Sequence, residues 1–215
     1  FIVEGSGAYT AVEGEKTLMQ PGDFVITPSW TWHHHGHEAA GPMVWLDGLD
    51  IPIAAFFGST FREDHPTDEA AVTRPTGDAL ARYGQGLLPV GYRNASLNSP
   101  VFNYPYQRTR EALHALTRAG APDAHTGHLM RFVNPTDGGW AMPTMATMIR
   151  LLPRGFATLP YRGSDTFVSG RWHAMTTNER VNFTAEIGRA PTCETCDAVA
   201  RRHGEGAHNE KRSNE

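Results

Sequence analysis

Four of the eleven histidines in this 215-residue chain lie within five positions, at 33, 34, 35 and 37. Because alternate residues of a β-strand point to the same side, His33, His35 and His37 would share one face of a strand. His34 would then point to the other side. Neutral imidazole is the commonest protein ligand of divalent iron, copper and zinc. A metal needs about three ligands held by rigid elements, which one short run does not supply alone. The cluster therefore predicts part of a metal site, and a solvated histidine-rich loop is the alternative.

Aromatic and acidic residues flank the histidine cluster and could contribute to a site there. Trp30 and Trp32 could form the wall of an aromatic pocket, or could lie on a strand, half in the core and half on the surface. Asp47 and Asp50 could be catalytic, or could be carboxylates satisfied within a turn. Phe61 could line the same site or pack in the core. The residue types alone leave each of these alternatives open.

Two cysteines and two histidines near the end of the chain imitate a set of zinc ligands. They are Cys193, Cys196, His203 and His208. Only six residues separate Cys196 from His203, whereas a zinc finger has about twelve or more between its cysteine and histidine pairs. We therefore expect no zinc site in this segment.

The composition is that of a folded protein rather than of a disordered, membrane-spanning or disulfide-bonded chain. Hydrophobic residues make up 40% and charged residues 20%, and the formal net charge is −4. These fractions predict a packed core, and no basic stretch suggests nucleic acid as a partner. No apolar run approaches the roughly 20 residues that span a membrane, and two cysteines fit a reducing compartment, the cytoplasm. Because residue 1 is Phe rather than Met, we expect a piece of a longer protein.

Short apolar runs in the first quarter of the chain predict antiparallel strands. Each run has strand length, is rich in β-branched or aromatic residues, and stops at Gly or Pro. Strands this short, with no helix between them, favour a sandwich or barrel over βαβ units. The runs lie at 1–3, 8–12, 17–19, 24–27 and 43–46.

The rest of the chain divides into a connector, a second β unit and a tail. Several prolines and glycines interrupt the connector, and one helix is predicted there, capped by Thr109 and ended by Gly120. Strand-like runs return at 129–133 and 145–152. After residue 170 large apolar residues become rare and charged residues frequent, so we expect most of the tail to be poorly ordered.

The stretch Gly22-Asp23-Phe24-Val25-Ile26-Thr27-Pro28, followed five residues later by His33, resembles the second motif of the cupin superfamily. In that motif a strand after a glycine turn, a proline and a histidine close a small jelly roll around a metal. Longer segments resemble the gentisate 1,2-dioxygenase family, which includes salicylate and 1-hydroxy-2-naphthoate dioxygenases. This resemblance extends from residue 1 to about residue 165. Its segments are 1–5, 22–32, 45–52, 99–104, 131–135 and 151–156.

The resemblance implies an all-β bicupin, two jelly rolls joined by a partly helical connector and here truncated. Residues 1–60 would form the C-terminal part of the first cupin, and 61–126 the connector with one helix. Residues 127–170 would begin the second cupin, and 171–215 would be a divergent, poorly ordered tail. Residues 160–162 fall where a His-x-His motif would stand, so the second cupin should bind no metal.

The resemblance also implies an iron(II) enzyme that uses O2 to open an aromatic ring between its carboxyl-bearing and hydroxyl-bearing carbons. Gentisate would give maleylpyruvate. Three histidines hold the iron in this family. His33 matches the third, and the His-x-His pair would precede Phe1. His35 would hydrogen-bond the substrate hydroxyl or move its proton, and Asp47 matches an acidic position near the substrate. The expected site is therefore His33 as metal ligand, His35 as catalytic group, and His35, Asp47, Trp30 and Trp32 as substrate contacts.

Several alternatives accompany this interpretation. Salicylate or 1-hydroxy-2-naphthoate could be the substrate, and a cupin that binds a small aromatic acid without catalysis is a further possibility. His34 and His37 stand where the family has Asp and Asn, so they could weaken iron binding or recruit another metal. The expected partners are a small aromatic hydroxy acid and O2, with no nucleic acid or membrane. By resemblance the protein would be a homo-oligomer, a tetramer.

Overall fold

The computed structural model describes residues 1–163, 166–173 and 180–187. Within these residues it has eleven strands and three helices, and every pairing between strands is antiparallel. The all-β-dominated class expected from the sequence is therefore confirmed. None of the helices in the described part of the chain is both long enough and apolar enough to cross a membrane.

The histidines lie on the outer strand of a three-stranded sheet. The sheet has the order β3-β2-β5, and its central strand β2 is buried along its whole length. Two further pairs, β1 with β6 and β4 with β7, extend this first unit. The predicted apolar runs coincide with strands here. The strands are β1 (Ile2–Glu4), β2 (Ala8–Val12), β3 (Glu15–Leu18), β4 (Phe24–Val25), β5 (His33–His37), β6 (Val44–Trp45) and β7 (Asn103–Tyr104).

Three helices follow β6 along the chain: α1 (Ile51–Phe56), α2 (Asp78–Tyr83) and α3 (Tyr106–Ala119). The prediction of a single helix in 61–126 was wrong, because α2 lies there as well as α3. Helix α2 has only six residues and buries only Ala79, so it has no apolar stripe to reveal it. A distant side chain stabilises its first turn: Glu15 accepts a hydrogen bond from the backbone N–H of Ala79, at 2.8 Å.

Helix α3 begins three residues earlier than the predicted cap. Pro105 occupies the N-cap position, and the hydroxyl of Thr109 donates to the carbonyl of Pro105 at 2.9 Å instead of accepting a hydrogen bond as a cap would. The capping acceptor comes from another part of the chain, since Oδ1 of Asp23 accepts the backbone N–H of Tyr106 at 2.8 Å. Proline can therefore stand at the N-cap even though it has no capping side chain.

The turn that carries Asp23 fits closely beneath α3. Gly22 has a φ of 91°, and a Cβ built on it would lie 2.5 Å from the ring of Tyr106, so both conformation and space require glycine there. The second carboxylate oxygen of Asp23 accepts the backbone N–H of Gln20 at 3.1 Å. Burial raises the pKa of the Asp23 carboxyl above its ordinary value, and the N–H donors of Tyr106 and Gln20 oppose that rise.

The main core joins the first β unit, the connector and the second β unit. Phe24 and Ile26 from the first unit pack with Leu113 of α3 and with Phe132 and Ile149 of the second unit. The rings of Phe24 and Phe132 lie 4.5 Å apart, centroid to centroid. The turn, α3 and both β units are therefore held by one set of apolar contacts.

The second β unit is a four-stranded sheet of order β10-β11-β9-β8. Strand β10 crosses the boundary placed at residue 170, and β11 lies within the expected tail, so the structure has strands where poor order was predicted. In the sequence Val181, Phe183 and Ala185 alternate with polar residues, a period-2 signal that the tail's high charge hid. The predicted domain limits stay predictions, and residues 193–208 lie outside the described residues. The strands are β8 (His128–Arg131), β9 (Met145–Leu152), β10 (Thr166–His173) and β11 (Arg180–Ile187).

Replacing Asp23 with Ala should lower the free energy of unfolding by about 2 kcal/mol, because buried N–H donors lose their acceptor. The unfolding midpoint in urea measures the loss. Asp64→Ala is the control, since Asp64 lies in an exposed ion pair with Arg62 and such pairs contribute less than about 1 kcal/mol. Equal midpoints for the two variants would contradict the capping role of Asp23.

Candidate functional site: the histidine face of β5

Strand β5 places alternate histidines on opposite faces of the sheet, as the sequence predicted. It pairs with β2 so that His37 lies opposite Ala8, His35 opposite Thr10 and His33 opposite Val12. His33, His35 and His37 are exposed, whereas His34 and Gly36 are half-buried. We call the surface formed by His33, His35 and His37 the histidine face.

The opposite side of β5 is packed against a tyrosine ring. Tyr9 lies opposite Gly36 in the ladder, and a Cβ on Gly36 would lie 2.4 Å from the Tyr9 ring. His34 meets the same ring edge-on at 5.9 Å, and Lys16 lies over it with Nζ 4.0 Å from the centroid. His34 is therefore separated from the histidine face, and the hypothesis that it binds a metal there gains nothing from its position.

His33 has one ring nitrogen engaged by the chain. Nδ1 lies 3.2 Å from the backbone carbonyl of Thr31. A neutral imidazole that donates Nδ1–H to this carbonyl keeps its lone pair on Nε2, which is the usual arrangement of a metal-binding histidine. The chemistry of this donor therefore fits a single iron(II) ligand.

His35 lies beside His33 and also contacts Trp45 and Thr10. The two imidazole centroids are 5.9 Å apart, and the Trp45 ring lies 6.1 Å from His35. Nδ1 of His35 is 2.9 Å from the hydroxyl of Thr10. The Nδ1 side of the ring, against Thr10, is partly removed from water, and this desolvation lowers the pKa of His35 below its ordinary value. His33 lowers that pKa further, and the negative charge of Asp47 opposes the shift. This environment favours a neutral imidazole.

His37 lies at the far end of the histidine face and is engaged through its other nitrogen. Nε2 lies 3.1 Å from the backbone carbonyl of Ser6, so a neutral His37 donates Nε2–H there. Among the described residues no group of three or more His, Cys, Asp or Glu side chains could hold a metal ion. Within the part of the chain that the structure describes, the histidine face is therefore at most part of a ligand set.

The two tryptophans do not alternate on a strand. Trp30 lies in a turn with a φ of 63°, is 72% exposed, and packs against Phe61 with ring centroids 4.3 Å apart. Trp32 meets His65 edge-on at 4.9 Å. Phe61 is exposed rather than in the core. The sequence-based expectation that the tryptophans lie on a strand was wrong, and their contact with substrate stays a prediction.

The two aspartates after β6 have different surroundings. Asp50 accepts a hydrogen bond from the hydroxyl of Thr144 at 2.5 Å, which makes it a structural carboxylate. Asp47 is exposed and close enough to His35 to affect its pKa, so it can face a ligand there. Sequence reasoning missed Thr10 and Trp45 as neighbours of His35. Only the pairing of β2 with β5 brings Thr10 there, so no local signal could have found it.

A cavity of about 610 Å³ lies away from the histidine face, between α2, α3 and β8. Its lining is mainly apolar and includes Arg108 and Arg131. Arg131 donates to the carbonyl of Gly138 at 3.0 Å and lies over the ring of Trp140. None of the histidines of β5 lines this cavity, so it is separate from the histidine face.

Comparison with known proteins assigns this chain to a family. A family model described as the cupin domain matches residues 1–49. Gentisate 1,2 dioxygenase 1 of Aquipseudomonas alcaligenes is 50% identical over 168 residues, which are 78% of this chain and 48% of that protein. The 1-hydroxy-2-naphthoate 1,2-dioxygenase of Nocardioides sp. (strain KP7) is 31% identical over 85% of this chain and 48% of that protein. The chain belongs to the gentisate 1,2-dioxygenase family.

A solved structure supports the family's cupin fold. The salicylate 1,2-dioxygenase of Pseudaminobacter salicylatoxidans superposes with a TM-score of 0.68 at 25% identity, covering 89% of this chain and 61% of that one. The cupin fold expected from the sequence is therefore confirmed. The chain spans about half the length of the gentisate and 1-hydroxy-2-naphthoate dioxygenases that it matches.

Replacing Gly36 with Ala should destabilise the protein by about 1–3 kcal/mol, because the added methyl group overlaps the Tyr9 ring. Urea unfolding measures the change. Gly120→Ala is the matched control, since Gly120 is extended and its Cβ would meet nothing within 4 Å. The loss in free energy of unfolding caused by Gly36→Ala should be smaller when Tyr9 is also replaced with Ala. A loss that persists in the Tyr9→Ala background would show that the ring is not the cause.

Proposed function

We propose that the whole protein is an iron(II)-dependent dioxygenase that cleaves the ring of gentisate to give maleylpyruvate. The observation that carries the proposal is the pair His33 and His35 on one open face of β5, with both Nδ1 atoms engaged by oxygens of the chain. The 50% identity to a gentisate 1,2 dioxygenase supports the choice of reaction. A homo-oligomer, a tetramer by the same family likeness, is part of the proposal. The cytoplasm as its compartment is part of it too, on the ground of the two cysteines.

His33 would hold the iron through Nε2, with two more histidines from residues outside this chain. Bound iron(II) would supply open coordination positions for the carboxylate and ortho-hydroxyl of the substrate and a path for electrons from the ring to O2. His33 would fix the direction from which one of its ligands approaches the iron. Its contact with the Thr31 carbonyl holds the ring for that task.

His35 would act on the substrate hydroxyl. It is the next imidazole on the same face as His33, and Nδ1 is occupied by Thr10, so Nε2 is the atom left to accept the hydroxyl proton. The Trp45 ring, 6.1 Å away, would form an apolar side of the substrate site. Asp47 would lie near the substrate. Trp30 and Trp32, which directly precede β5, would contact the substrate.

Salicylate and 1-hydroxy-2-naphthoate are the second candidate substrates. A relative that matches 85% of the chain is a 1-hydroxy-2-naphthoate dioxygenase, and the solved salicylate dioxygenase has also been crystallised as an adduct with gentisate. These acids share a carboxylate beside a ring hydroxyl, which is the pair of groups that His35 and the metal would recognise.

Oxygen uptake by the full-length protein, loaded with iron(II) under anaerobic conditions, tests the proposal. Gentisate should give uptake with one O2 consumed per ring opened, and salicylate and 1-hydroxy-2-naphthoate should give slower uptake. Faster uptake with either of these would favour the second candidates. Binding of gentisate with no uptake from any acid would instead indicate a cupin that binds without catalysis.

His33→Ala and His35→Ala in the full-length protein should separate metal binding from proton transfer. His33→Ala should lose both iron and turnover, whereas His35→Ala should keep its iron and lose about 100- to 10,000-fold in kcat. Elemental analysis and oxygen uptake measure the two effects. His37→Ala is the control, because its engaged nitrogen is Nε2, and it should keep iron. Normal iron in His33→Ala, or unchanged kcat in His35→Ala, would remove that residue from its role.

A further inference from the structure

We propose that Thr10 is a positioning residue that fixes the tautomer of His35. The hydroxyl of Thr10 accepts a hydrogen bond from Nδ1–H of His35 and donates its own proton to the sulfur of Met19. Nε2 of His35 then keeps its lone pair toward the histidine face. The consequence for catalysis rests on the proposed function, whereas the tautomer itself does not.

The geometry places Thr10 where it can act on one imidazole. Thr10 lies at the centre of β2, directly opposite His35 in the ladder, and residues opposite each other in a sheet point to the same side. Its Oγ1 lies 2.9 Å from Nδ1 of His35 and 3.3 Å from Sδ of Met19. Thr10 is 1% exposed and Met19 is 4% exposed. Water therefore does not compete for this hydroxyl.

A count of protons decides which way the hydrogen bonds run. Two contacts meet at Oγ1 of Thr10, and each needs one proton. The hydroxyl has a single proton, and the thioether of Met19 has none to give. If the hydroxyl proton pointed to His35, the contact with sulfur would bring two lone-pair atoms together. The hydroxyl proton therefore goes to Met19, and the imidazole supplies the proton on Nδ1.

The surroundings hold this arrangement in place. Threonine is stiff about χ1 because it is branched at Cβ, and β2 is paired on both sides, with Thr17 of β3 opposite Thr10 on one side and His35 on the other. The backbone N–H of Met19 donates to the carbonyl of Ala8 at 3.0 Å, which fixes the position of the sulfur-bearing residue. A proton on Nδ1 leaves Nε2 as an acceptor, which is the state that proton removal from a hydroxyl requires.

The tautomer can be measured without any reaction. In metal-free, full-length protein with ¹⁵N-labelled histidine, at a pH where His35 is neutral, NMR distinguishes a protonated from an unprotonated ring nitrogen. The His35 signals are assigned by their loss in His35→Gln. We expect a protonated Nδ1 and an unprotonated Nε2, kept in Thr10→Ser and replaced by a mixture in Thr10→Val. A proton on Nε2 in the wild type, or no change in Thr10→Val, would overturn the proposal.

A double-mutant cycle tests the consequence for turnover. Thr10→Val keeps the shape of the side chain and removes the hydroxyl, so kcat should fall about 10- to 100-fold while KM and iron content stay within twofold. Thr10→Ser should restore most of kcat. In the His35→Gln background Thr10→Val should have no further effect, since its action passes through the missing imidazole. An equal loss in both backgrounds would mean a structural role and overturn the proposal.

Thr17→Val is the matched control for both measurements. Thr17 is a buried threonine in the same sheet, and it lies opposite Thr10 on β3. Its substitution should leave the His35 tautomer and kcat as in the wild type, and a change equal to that of Thr10→Val would count against Thr10. Absence of turnover in the wild type would contradict the proposed function alone, because the NMR result decides the tautomer independently.

Discussion

The hydrogen bond from the backbone N–H of Tyr106 to the carboxylate of Asp23 joins the connector helix α3 to the first β unit. Removing a carboxylate from water is costly, and the cost is offset here by N–H donors from Tyr106 and Gln20 and by the positive end of the α3 dipole. The turn that carries Asp23 leads directly into β4, whose Phe24 reaches the main core. The cap of α3 and the apolar contacts of the main core therefore hold this turn in place together.

A second carboxylate, on an outer strand of the three-stranded sheet, also accepts a hydrogen bond from the first turn of a connector helix. Glu15 on β3 accepts the backbone N–H of Ala79 in α2 and lies 3.3 Å from Arg74. Burial raises the pKa of Glu15, and the hydrogen bond from Ala79 and the charge of Arg74 oppose that rise. Two helices of the connector thus dock on acidic side chains of the first β unit. The histidine strand lies at the opposite edge of the three-stranded sheet, with the side chains of the histidine face exposed.

The sequence predicted the structural features that depend on a local pattern of residues. It missed the features that depend on contacts between residues far apart in the chain. The period-2 alternation placed His33 and His35 on one face, and apolar runs located β2 and β9. The capping of α3, the existence of α2 and the partner of His35 involve residues 83, 64 and 25 positions apart. Such contacts leave no trace in a window of a few residues. Trp30 shows the same limit, because its positive φ follows from the turn and not from its residue type.

The three imidazoles of the histidine face differ in which nitrogen the chain engages. His33 and His35 each have Nδ1 beside an oxygen, of Thr31 and Thr10 respectively, whereas His37 has Nε2 beside the carbonyl of Ser6. Side chains on one face of a strand lean in the same direction. Two imidazoles whose Nδ1 atoms both contact the chain therefore both present Nε2 to the open side. In the proposed function His33 and His35 would therefore act together on one ligand, one toward a metal and one toward a proton. His37 presents Nδ1 instead, because its Nε2 is the engaged nitrogen. Its position on the histidine face therefore does not by itself make it part of the site.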